Sequence, residues 1–357
     1  IIKIIKIIKI IKIIKIINYI MYKQFPTSIC EYIWIGGKGE IRSKTRIITD
    51  NYNNLDKDMF TEWNYDASST GQSDGNGNTE GILKPIRIYK NSLRKNNNFN
   101  NYLVLCETYD INGLPLETNR RHDALKIFNS KIEEEPWYGL EQEYFIQLNC
   151  KDLENNTENV FTHYCGIARD DIERRIAERH MELCLEAGLK ISGINSEVAL
   201  YQWEFQIGPC EGIEGADQLI IARYLLERVA EEFNVSVSFI PKPNKFANGS
   251  GCHTNFSTKT MREPNGIEEI YKAISKLETN HDEHIKVYGE GNNDRLTGEH
   301  ETASYKHFSW GKGTRNTSIR VPNHVVKDSC GYLEDRRPAA NMDPYLVTSI
   351  IFKTCCL

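Results

Sequence analysis

The order of apolar and polar positions divides the chain into a strand-rich first part and a longer part in which helices and strands alternate. From about Tyr32 to Leu105, short β-rich runs at 31–35, 46–49 and 102–106 are separated by clusters of Gly, Asn and Asp, and no helical period persists. After Pro115 the pattern changes to alternating helices and strands. We therefore predict a small sheet-rich domain followed by a larger mixed domain.

Three segments of the second part are predicted to be helical. Asn119 to Lys131 is the first, and Ala216 to Phe233 is followed by a strand-like run, Val235 to Ile240. Between them, Asp171 to Gly188 places its apolar residues near one helix face, with Gly188 as the stop signal. These apolar residues are Ile172, Ile176, Ala177, Leu183, Cys184 and Ala187. The whole pattern predicts the α+β class.

A low-complexity tract opens the chain, with Ile-Ile-Lys repeated from Ile1 to Ile17. A membrane-spanning helix needs about 20 mostly apolar residues, and each central lysine costs roughly 2.5–3.5 kcal/mol on insertion. The evenly spaced lysines argue against a membrane span, and the tract lacks the separate charged and small-residue regions of a signal peptide. A surface anchor is the alternative, but we predict that residues 1–20 form an extension without ordered structure.

Length, charge and cysteine content bound the class of protein. The 357 residues suffice for roughly two domains, and 40% hydrophobic residues can supply a buried core. The net charge of −5 offers no cationic excess for nucleic acid, so no such partner is expected. The 10 cysteines are scattered and form no C-x-x-C pair. They are typical of free thiols in a reducing compartment, which favours a cytoplasmic location.

Acidic residues in strand-like segments are the first candidates for chemistry. Glu141 and Glu143 stand two apart in a run of strand composition, so both side chains project from one face. Two ionised carboxylates 4 Å apart repel by roughly 4 kcal/mol at an effective dielectric of 20, so a buried pair needs protons or cations. Glu197 and Glu204 have an odd spacing, and their convergence requires a turn or bulge near 199–201. Taken alone, such carboxylates are more often solvated.

Other polar residues become informative only in combination. His253 follows Asn248-Gly-Ser-Gly-Cys, a loop whose glycines allow the backbone to approach a ligand closely. Arginines offer forked donors that suit carboxylate and phosphate oxygens, although each one alone is more often a surface residue. The candidates are Arg295, Arg315, Arg320, Arg336 and Arg337. Because neither a P-loop nor a Rossmann fingerprint in a strand-to-helix setting occurs, any nucleotide must be held in another way.

Six short motifs follow one another along the chain. They are Trp63-Asn-Tyr-Asp-Ala-Ser-Ser-Thr-Gly-Gln, Pro136-Trp-Tyr-Gly-Leu-Glu-Gln-Glu-Tyr, Trp203-Glu-Phe-Gln-Ile-Gly-Pro, Asn248-Gly-Ser-Gly-Cys-His-Thr-Asn-Phe-Ser, Arg295-Leu-Thr-Gly and Glu334-Asp-Arg-Arg-Pro. In this order, from about Cys30 to the C-terminus, they resemble the motifs of a eukaryotic-type glutamine synthetase. The resemblance implies an N-terminal β-grasp domain, residues 21–115, and a larger catalytic domain, residues 116–357, with a curved antiparallel sheet and flanking helices.

The resemblance also implies two or three Mg²⁺ or Mn²⁺ ions in a two-ended funnel. The implied ligand sets are Glu143, Glu197 and Glu204 for one ion, and Glu141, His253 and Glu334 for another. Hard divalent ions prefer such oxygen-rich sites, and phosphoryl transfer uses metals that bridge phosphates. Bound cations would also explain how the carboxylates can converge.

The implied activity is that of a glutamate–ammonia ligase. ATP would phosphorylate the side-chain carboxylate of L-glutamate to γ-glutamyl phosphate, and ammonia would displace phosphate to give L-glutamine. Because water would also attack the acyl phosphate, the site has to close. By similarity, the roles fall on Asp66 for ammonium, Glu301 for the shielding flap and deprotonation, Arg295 and Arg336 for glutamate and the phosphoryl group, Asn248 and Gly249 for the amino acid, and Arg315, Arg320 and Ser257 for ATP.

In the family, the residue that matches Asp66 reaches the active site from a neighbouring subunit. The resemblance therefore implies a homo-oligomer of rings, a decamer of two pentamers. The chain departs from the family pattern at Ala67 in place of Gly, at Leu200-Tyr201 in place of Pro-Gly or Pro-Ala, and in the shortened stretches 151–161 and 167–171. Since every implied ligand is present, we expect activity. Two alternatives stay open: an inert ring-forming structural or regulatory relative, and a ligase of the same fold that acts on another amine.

Overall fold

The computed structural model describes residues 9–15, 27–49, 60–73, 77–95, 99–148, 163–167, 172–243, 248–299 and 301–357. Two compact units divide the chain, Ile1–Thr118 and Asn119–Leu357. In these described ranges, none of the helices is both long and apolar enough to cross a bilayer. The nine cysteines that fall in the same ranges are free thiols, as predicted.

The first unit is built on a mixed sheet of five strands: β1 Thr27–Ile35, β2 Ile41–Thr49, β3 Trp63–Asp66, β4 Glu80–Lys90 and β5 Asn100–Tyr109. Their order is β2-β1-β5-β4-β3. The central pair β1 and β5 is parallel and the other pairs are antiparallel. Tyr32, Leu83 and Val104 are fully buried and belong to the hydrophobic core of this unit. The predicted strand-like runs lie inside β1, β2 and β5.

Residues 9–15 form a short helix, α1, whose isoleucines are exposed. This stretch lies inside the extension 1–20, for which the sequence predicts no ordered structure. The difference reflects the repeated residues themselves, since lysine is a good helix former and isoleucine is tolerated in helices. The remaining residues of the extension lie outside the described part of the chain.

The second unit contains an eight-stranded sheet of β6 Trp137–Gln147, β7 Ile191–Ser196, β8 Gln202–Glu211, β9 Ser236–Ser238, β10 Cys252–Ser257, β11 Trp310–Lys312, β12 Ile319–Val321 and β13 Leu333–Asp335. The order is β11-β12-β13-β10-β6-β8-β7, with β9 paired to the end of β6. Apart from the parallel pair β11 and β12, neighbouring strands are antiparallel. The antiparallel sheet that the resemblance implies is therefore present, except at the pair β11 and β12.

Nine helices flank this sheet in the described residues: α2 Arg120–Asn129, α3 Ile172–Ala187, α4 Glu214–Glu232, α5 Lys259–Arg262, α6 Ile267–Thr279, α7 His281–Ile285, α8 Asn292–Arg295, α9 Asn323–Asp328 and α10 Pro344–Cys356. The predicted helices correspond to α2, α3 and α4. Asn119 caps α2 through its side chain, which accepts from the His122 amide. Gly188, with φ of 87°, follows the last residue of α3 as predicted.

Strand β6 runs through the middle of the sheet, with β8 on one side and β10 and β9 on the other. Alternate residues of a strand face opposite sides. Leu140, Gln142 and Tyr144 are fully buried on one face, where α4 packs. Glu141 and Glu143 therefore project together from the other face, as predicted, and this face carries the candidate site.

Candidate functional site

Strand register brings the first acidic cluster together. His253 on β10 lies directly opposite Glu141 on β6, and β13 pairs with β10 on its other side. The His253 Nδ1 atom is 3.4 Å from Glu141 Oε2 and 3.6 Å from Glu334 Oε1. Ligand atoms of Glu141, His253 and Glu334 all lie within 4.8 Å of one another. Three residues far apart in the sequence thus form one compact donor set.

A second cluster forms where β6, β7 and β8 meet. Glu143 on β6 is paired with Glu204 on β8, and Glu197 follows the last residue of β7. A tight turn joins β7 to β8, because the Glu197 amide donates to the Gln202 carbonyl over 2.8 Å. Ligand atoms of Glu143, Glu197 and Glu204 lie within 4.8 Å of one another. The turn predicted near 199–201 is therefore present, and it brings Glu197 and Glu204 to the same side.

The buried carboxylates of the second cluster repel one another. Burial, followed by the charge of Glu197, raises the pKa of Glu143 above its ordinary value. Burial and the neighbouring carboxylates raise the pKa of Glu204 in the same direction. Burial lowers the pKa of His253 well below its ordinary value, so its imidazole is neutral. Neutral imidazole and closely spaced carboxylate oxygens suit divalent cations, so these residues fit the implied metal ions.

Arginines complete the lining of a cavity of about 230 Å³ around both clusters. Arg320 Nη1 and Arg336 Nη1 lie 2.9 Å and 2.6 Å from the two oxygens of Glu334. Arg295 donates to His253 Nε2 over 3.2 Å, and burial lowers the pKa of Arg295 only to about 10, so the guanidinium stays charged. The buried Nε of Arg320 has no hydrogen-bond partner among the described residues. A buried donor of this kind is available to a bound molecule.

The loop before β10 forms another wall of the cavity, through Asn248 and Gly249. A Cβ atom on Gly249 would lie 2.6 Å from the Pro241 carbonyl oxygen and 2.8 Å from Arg295 Cγ. Only glycine can therefore bring this backbone against the side chain of Arg295. The predicted approach of this loop to a ligand stays a prediction, but its backbone does line the cavity.

Asp66 lies in the first unit, at the end of β3. Its carboxylate accepts from the hydroxyl groups of Ser68 and Ser69 over 2.5 Å and 2.6 Å. Those two hydroxyls, with the amide of Ser69, lower the pKa of the exposed Asp66 to about 2. Asp66 is therefore an anion at neutral pH, which suits the binding of a cation.

Glu301 lines the cavity in the second unit and has φ of 61°. Arg315 Nη1 lies 3.5 Å from its carboxylate, and Arg336 Nη2 lies 3.4 Å from its carbonyl oxygen. A left-handed conformation is costly for a residue with a side chain and is frequent at functional sites. Two arginines of the cavity thus contact Glu301, the residue that the resemblance assigns to the shielding flap.

A second, mainly apolar cavity of about 450 Å³ lies beside the first. Trp137, Pro209, Phe256 and Tyr332 form its walls, and Glu141 and Gln206 border both cavities. The guanidinium of Arg262 stacks 4.0 Å from the ring centre of Trp137. Ser257 lies in this cavity, whereas Arg315 and Arg320 line the acidic one. The three residues that the resemblance connects with ATP are therefore divided between two adjoining cavities.

Several cavity residues were not predicted from the sequence. Tyr164 lines the acidic cavity, as Arg315 does. Gln202 and Gln206 stand two residues either side of Glu204, so strand alternation alone could have placed them on the same face. Gln206 donates to Glu204, and Gln202 Nε2 lies 3.3 Å from Glu143 Oε2. No sequence signal distinguishes Tyr164, which lies in the stretch 163–167, outside the strands that carry the two clusters.

The departures from the family pattern have different outcomes. Ala67 is not among the described residues with positive φ, so its methyl group causes no left-handed strain. Tyr201, by contrast, has φ of 65° in the turn between β7 and β8. The stretch 151–161 and residues 168–171 lie outside the described residues.

Comparisons with known proteins show what this chain is similar to. A family model described as glutamine synthetase, catalytic domain, matches residues 124–281. The chain is 50% identical over 342 residues to glutamine synthetase cytosolic isozyme 1-3 of Arabidopsis thaliana, covering 92% of this chain and 94% of that relative. It is 48% identical over 335 residues to glutamine synthetase of Saccharomyces cerevisiae, covering 92% and 89%. A solved structure of Plasmodium falciparum glutamine synthetase superposes with a TM-score of 0.73 at 19% identity, covering 92% of this chain and 71% of that chain.

Proposed function

This chain belongs to the glutamine synthetase family, and from that premise we infer that it is a glutamate–ammonia ligase. It joins ammonia to the side-chain carboxylate of L-glutamate and converts ATP to ADP and phosphate. The observation that carries this conclusion is the meeting of two three-residue donor sets in one arginine-lined cavity. The chain also has the α+β fold that the sequence predicts.

We propose that Glu143, Glu197 and Glu204 hold one divalent cation, Mg²⁺ or Mn²⁺, and that a second is held by Glu141, His253 and Glu334. Bound cations would neutralise charge on the transferred phosphoryl group and on the carboxylates themselves. The donor chemistry and the raised pKa values of Glu143 and Glu204 support this assignment.

ATP would extend across both cavities. The apolar one offers Trp137 and Tyr332 as flat surfaces for the base, with Ser257 nearby. The phosphates would then lie in the acidic cavity, where the unpartnered Nε of Arg320 can donate to an oxygen and Arg315 adds positive charge. Shared borders at Glu141 and Gln206 support this placement.

Glutamate would lie between the glycine loop and the buried arginines. Asn248 and Gly249 would orient the amino acid, while Arg295 and Arg336 would hold its carboxylate and the incoming phosphoryl group. A carboxylate oxygen of glutamate forms a bond to the γ-phosphorus as the bond to the ADP oxygen breaks. The product of this step is γ-glutamyl phosphate.

In the second step, Asp66 would bind ammonium and Glu301 would cover the acyl phosphate. Asp66 is ionised, so it can attract ammonium and accept one proton from it, which frees the nitrogen lone pair for attack on the acyl carbon. Once the new bond from nitrogen to carbon has formed, Glu301 would accept a second proton from the nitrogen, so that a neutral amide results. The bond from that carbon to the phosphate oxygen breaks, and phosphate leaves. Glu301 would exclude water, which could otherwise hydrolyse the intermediate.

A steady-state assay tests the activity. With Mg²⁺, ATP, glutamate and ammonia, we expect glutamine and phosphate in equal amounts, and little product when any substrate is omitted. Comparable rates with a polyamine in place of ammonia would instead indicate a ligase for another amine. The absence of any ATP-dependent product from correctly folded protein would indicate an inert structural or regulatory relative.

We propose that the protein assembles as two pentameric rings and that Asp66 acts in the site of a neighbouring subunit. Asp66→Asn and Glu204→Ala should each abolish glutamine synthesis, but their co-expression should restore part of it. With random assembly, about a quarter of the sites would combine two unaltered halves. Mixed oligomers that are purified through two different tags and remain inactive would contradict this arrangement.

We also propose a cytoplasmic location. The free thiols among the described cysteines suit a reducing compartment, and the Arabidopsis thaliana relative is named a cytosolic isozyme.

A further inference from the structure

A buried ion pair lies behind β13, on the side away from the cavity. Asp335 stands between Glu334 and Arg336, so strand alternation turns its side chain to the opposite face. Arg337 donates to both oxygens of Asp335, through Nε over 2.9 Å and Nη2 over 2.7 Å. Both side chains are 0% exposed. Two donors of one guanidinium thus reach the two oxygens of Asp335, which is the geometry of an arginine paired with an ionised carboxylate.

Tyr288 extends this pair in one direction. Its hydroxyl lies 2.7 Å from Asp335 Oδ2 and 2.6 Å from His284 Nδ1. An ionised carboxylate can only accept, so the single hydroxyl proton of Tyr288 points to Asp335. His284 Nδ1 must then carry a proton and donate to Tyr288. The remaining His284 nitrogen, Nε2, accepts from the hydroxyl of Thr354 on α10 over 2.8 Å.

His281 extends the pair in the other direction. Arg337 Nη1 lies 3.0 Å from His281 Nδ1, and a guanidinium can only donate, so Nδ1 accepts. The proton of His281 is therefore on Nε2, which donates to the Tyr305 carbonyl oxygen over 3.1 Å. Burial lowers the pKa of both His281 and His284, in agreement with two neutral rings.

The chain of hydrogen bonds ends at the loop that carries Glu301. The Tyr305 amide donates to the Leu296 carbonyl over 2.8 Å, and Thr297 pairs with Ser304 as a β-bridge. These contacts close the base of the loop, and Glu301 stands within it. The donors and acceptors between Thr354 and Tyr305 can therefore be assigned in one consistent sense, with Asp335 Oδ2 accepting from both Tyr288 and Arg337. Such a satisfied buried network specifies one arrangement of the elements that it joins.

We propose that Tyr288 and His281 are positioning residues that hold β13 and the base of the Glu301 loop in one register. Neither touches the acidic cavity, but the network fixes the strand that presents Glu334 and Arg336 and the loop that covers the intermediate. This inference rests on the proposed ligase activity. Its specific consequence is that loss of the network lets water reach the acyl phosphate, so that ATP is consumed without glutamine being formed.

The test is the ratio of phosphate released to glutamine formed. Tyr288→Phe removes one hydroxyl and leaves the ion pair of Asp335 with Arg337 in place. We expect kcat for glutamine to fall by about tenfold, as for the loss of a hydrogen bond to a charged group. We also expect the ratio, which is one for a coupled ligase, to rise to about two or more.

Tyr345→Phe is the matched control, because it breaks a similar bond elsewhere in the same unit. The Tyr345 hydroxyl donates over 2.8 Å to Asp217, which is likewise buried and paired with an arginine, Arg121. Tyr345→Phe should lower Tm about as much as Tyr288→Phe does, but its ratio of phosphate to glutamine should stay at one. Equal ratios in both variants, or a ratio of one in Tyr288→Phe, would overturn the proposal.

Variants of His281 provide an independent measurement if Tyr288→Phe fails to fold. His281→Phe keeps the ring beside Phe308, whose centroid is 5.9 Å away, but removes both hydrogen bonds. In His281→Phe the ratio of phosphate to glutamine should rise. His281→Gln keeps a donor for the Tyr305 carbonyl, so its ratio should lie between those of His281→Phe and the wild type. An unchanged ratio in His281→Phe would contradict the positioning role. A wild-type protein that forms no glutamine would instead refute the proposed activity.

Discussion

At the scale of single residues, Glu204 is a carboxylate whose pKa depends strongly on its neighbours. It faces Glu143 across the β6–β8 pair, and burial together with the charges of Glu141, Glu143 and Glu197 raises its pKa. Such a group is stable as an anion only when cations compensate it. The crowding of carboxylates around Glu204 therefore explains both its raised pKa and its proposed role as a metal ligand.

We expect Glu204→Ala to lower turnover by at least about 10³-fold, because one ligand of the proposed cation site is lost. The fold should persist, since replacing a repelled carboxylate removes an unfavourable charge. The rise in Tm on addition of Mg²⁺ measures metal binding separately from catalysis, and it should shrink in this variant.

Glu211→Gln is the control for that experiment, since Glu211 belongs to the same strand but is exposed at its end. It should keep both turnover and the Mg²⁺-dependent rise in Tm. If Glu204→Ala retained the full Mg²⁺ effect, the assigned ligand set would be wrong.

At the scale of elements, the turn between β7 and β8 decides whether Glu197 reaches Glu204. Tyr201 occupies this turn with φ of 65°, and its carbonyl oxygen accepts from the Ile146 amide over 2.9 Å. A left-handed conformation costs a residue with a side chain roughly 1–2 kcal/mol. The contacts of the turn therefore hold a strained residue in place.

We expect Tyr201→Gly to raise the free energy of unfolding by roughly 0.5 kcal/mol, since relief of the strain exceeds the extra chain entropy of glycine. Urea denaturation measures this change. The adjacent Leu200→Gly should instead destabilise the protein by roughly 1 kcal/mol, because Leu200 is not among the residues with positive φ. Equal destabilisation by both substitutions would show that Tyr201 is not strained.

At the scale of the whole molecule, buried histidines connect stability to pH. His180 is 0% exposed between α3 and α4, where Nε2 donates to the Ala222 carbonyl oxygen over 2.9 Å. Burial lowers its pKa to about 4. The unfolded chain takes up a proton near pH 6.5, well before the folded state does. Stability therefore falls as pH drops from about 6.5 towards 4.

Between pH 7.5 and 5.5, His180 should cost about 1.3 kcal/mol of unfolding free energy. The measurement is a urea series at both pH values for the wild type and for His180→Gln, which keeps a donor for Ala222. The pH-dependent loss should be smaller by about that amount in the variant. Identical losses in the wild type and His180→Gln would contradict the neutral buried ring.

The sequence by itself determined the features that depend on local spacing. Period-two alternation placed Glu141 and Glu143 on one face of β6, helical spacing located α3, and the glycine loop before His253 indicated close backbone approach. The ordered motifs indicated the family, because each motif carries residue types that the same chemistry requires. These features could be predicted because they depend on backbone geometry within a few residues.

Only the tertiary structure decided which distant residues meet. Spacing could not show that His253 pairs with Glu141, that Tyr201 turns Glu197 towards Glu204, or that Tyr164 enters the cavity. Nor could it reveal the network from Thr354 to Tyr305, because the bonds of Tyr288 with Asp335, of His281 with Arg337 and of His284 with Thr354 join residues that are far apart in the sequence. Strand register and helix packing minimise the free energy of the whole fold, whereas sequence patterns report only local preferences.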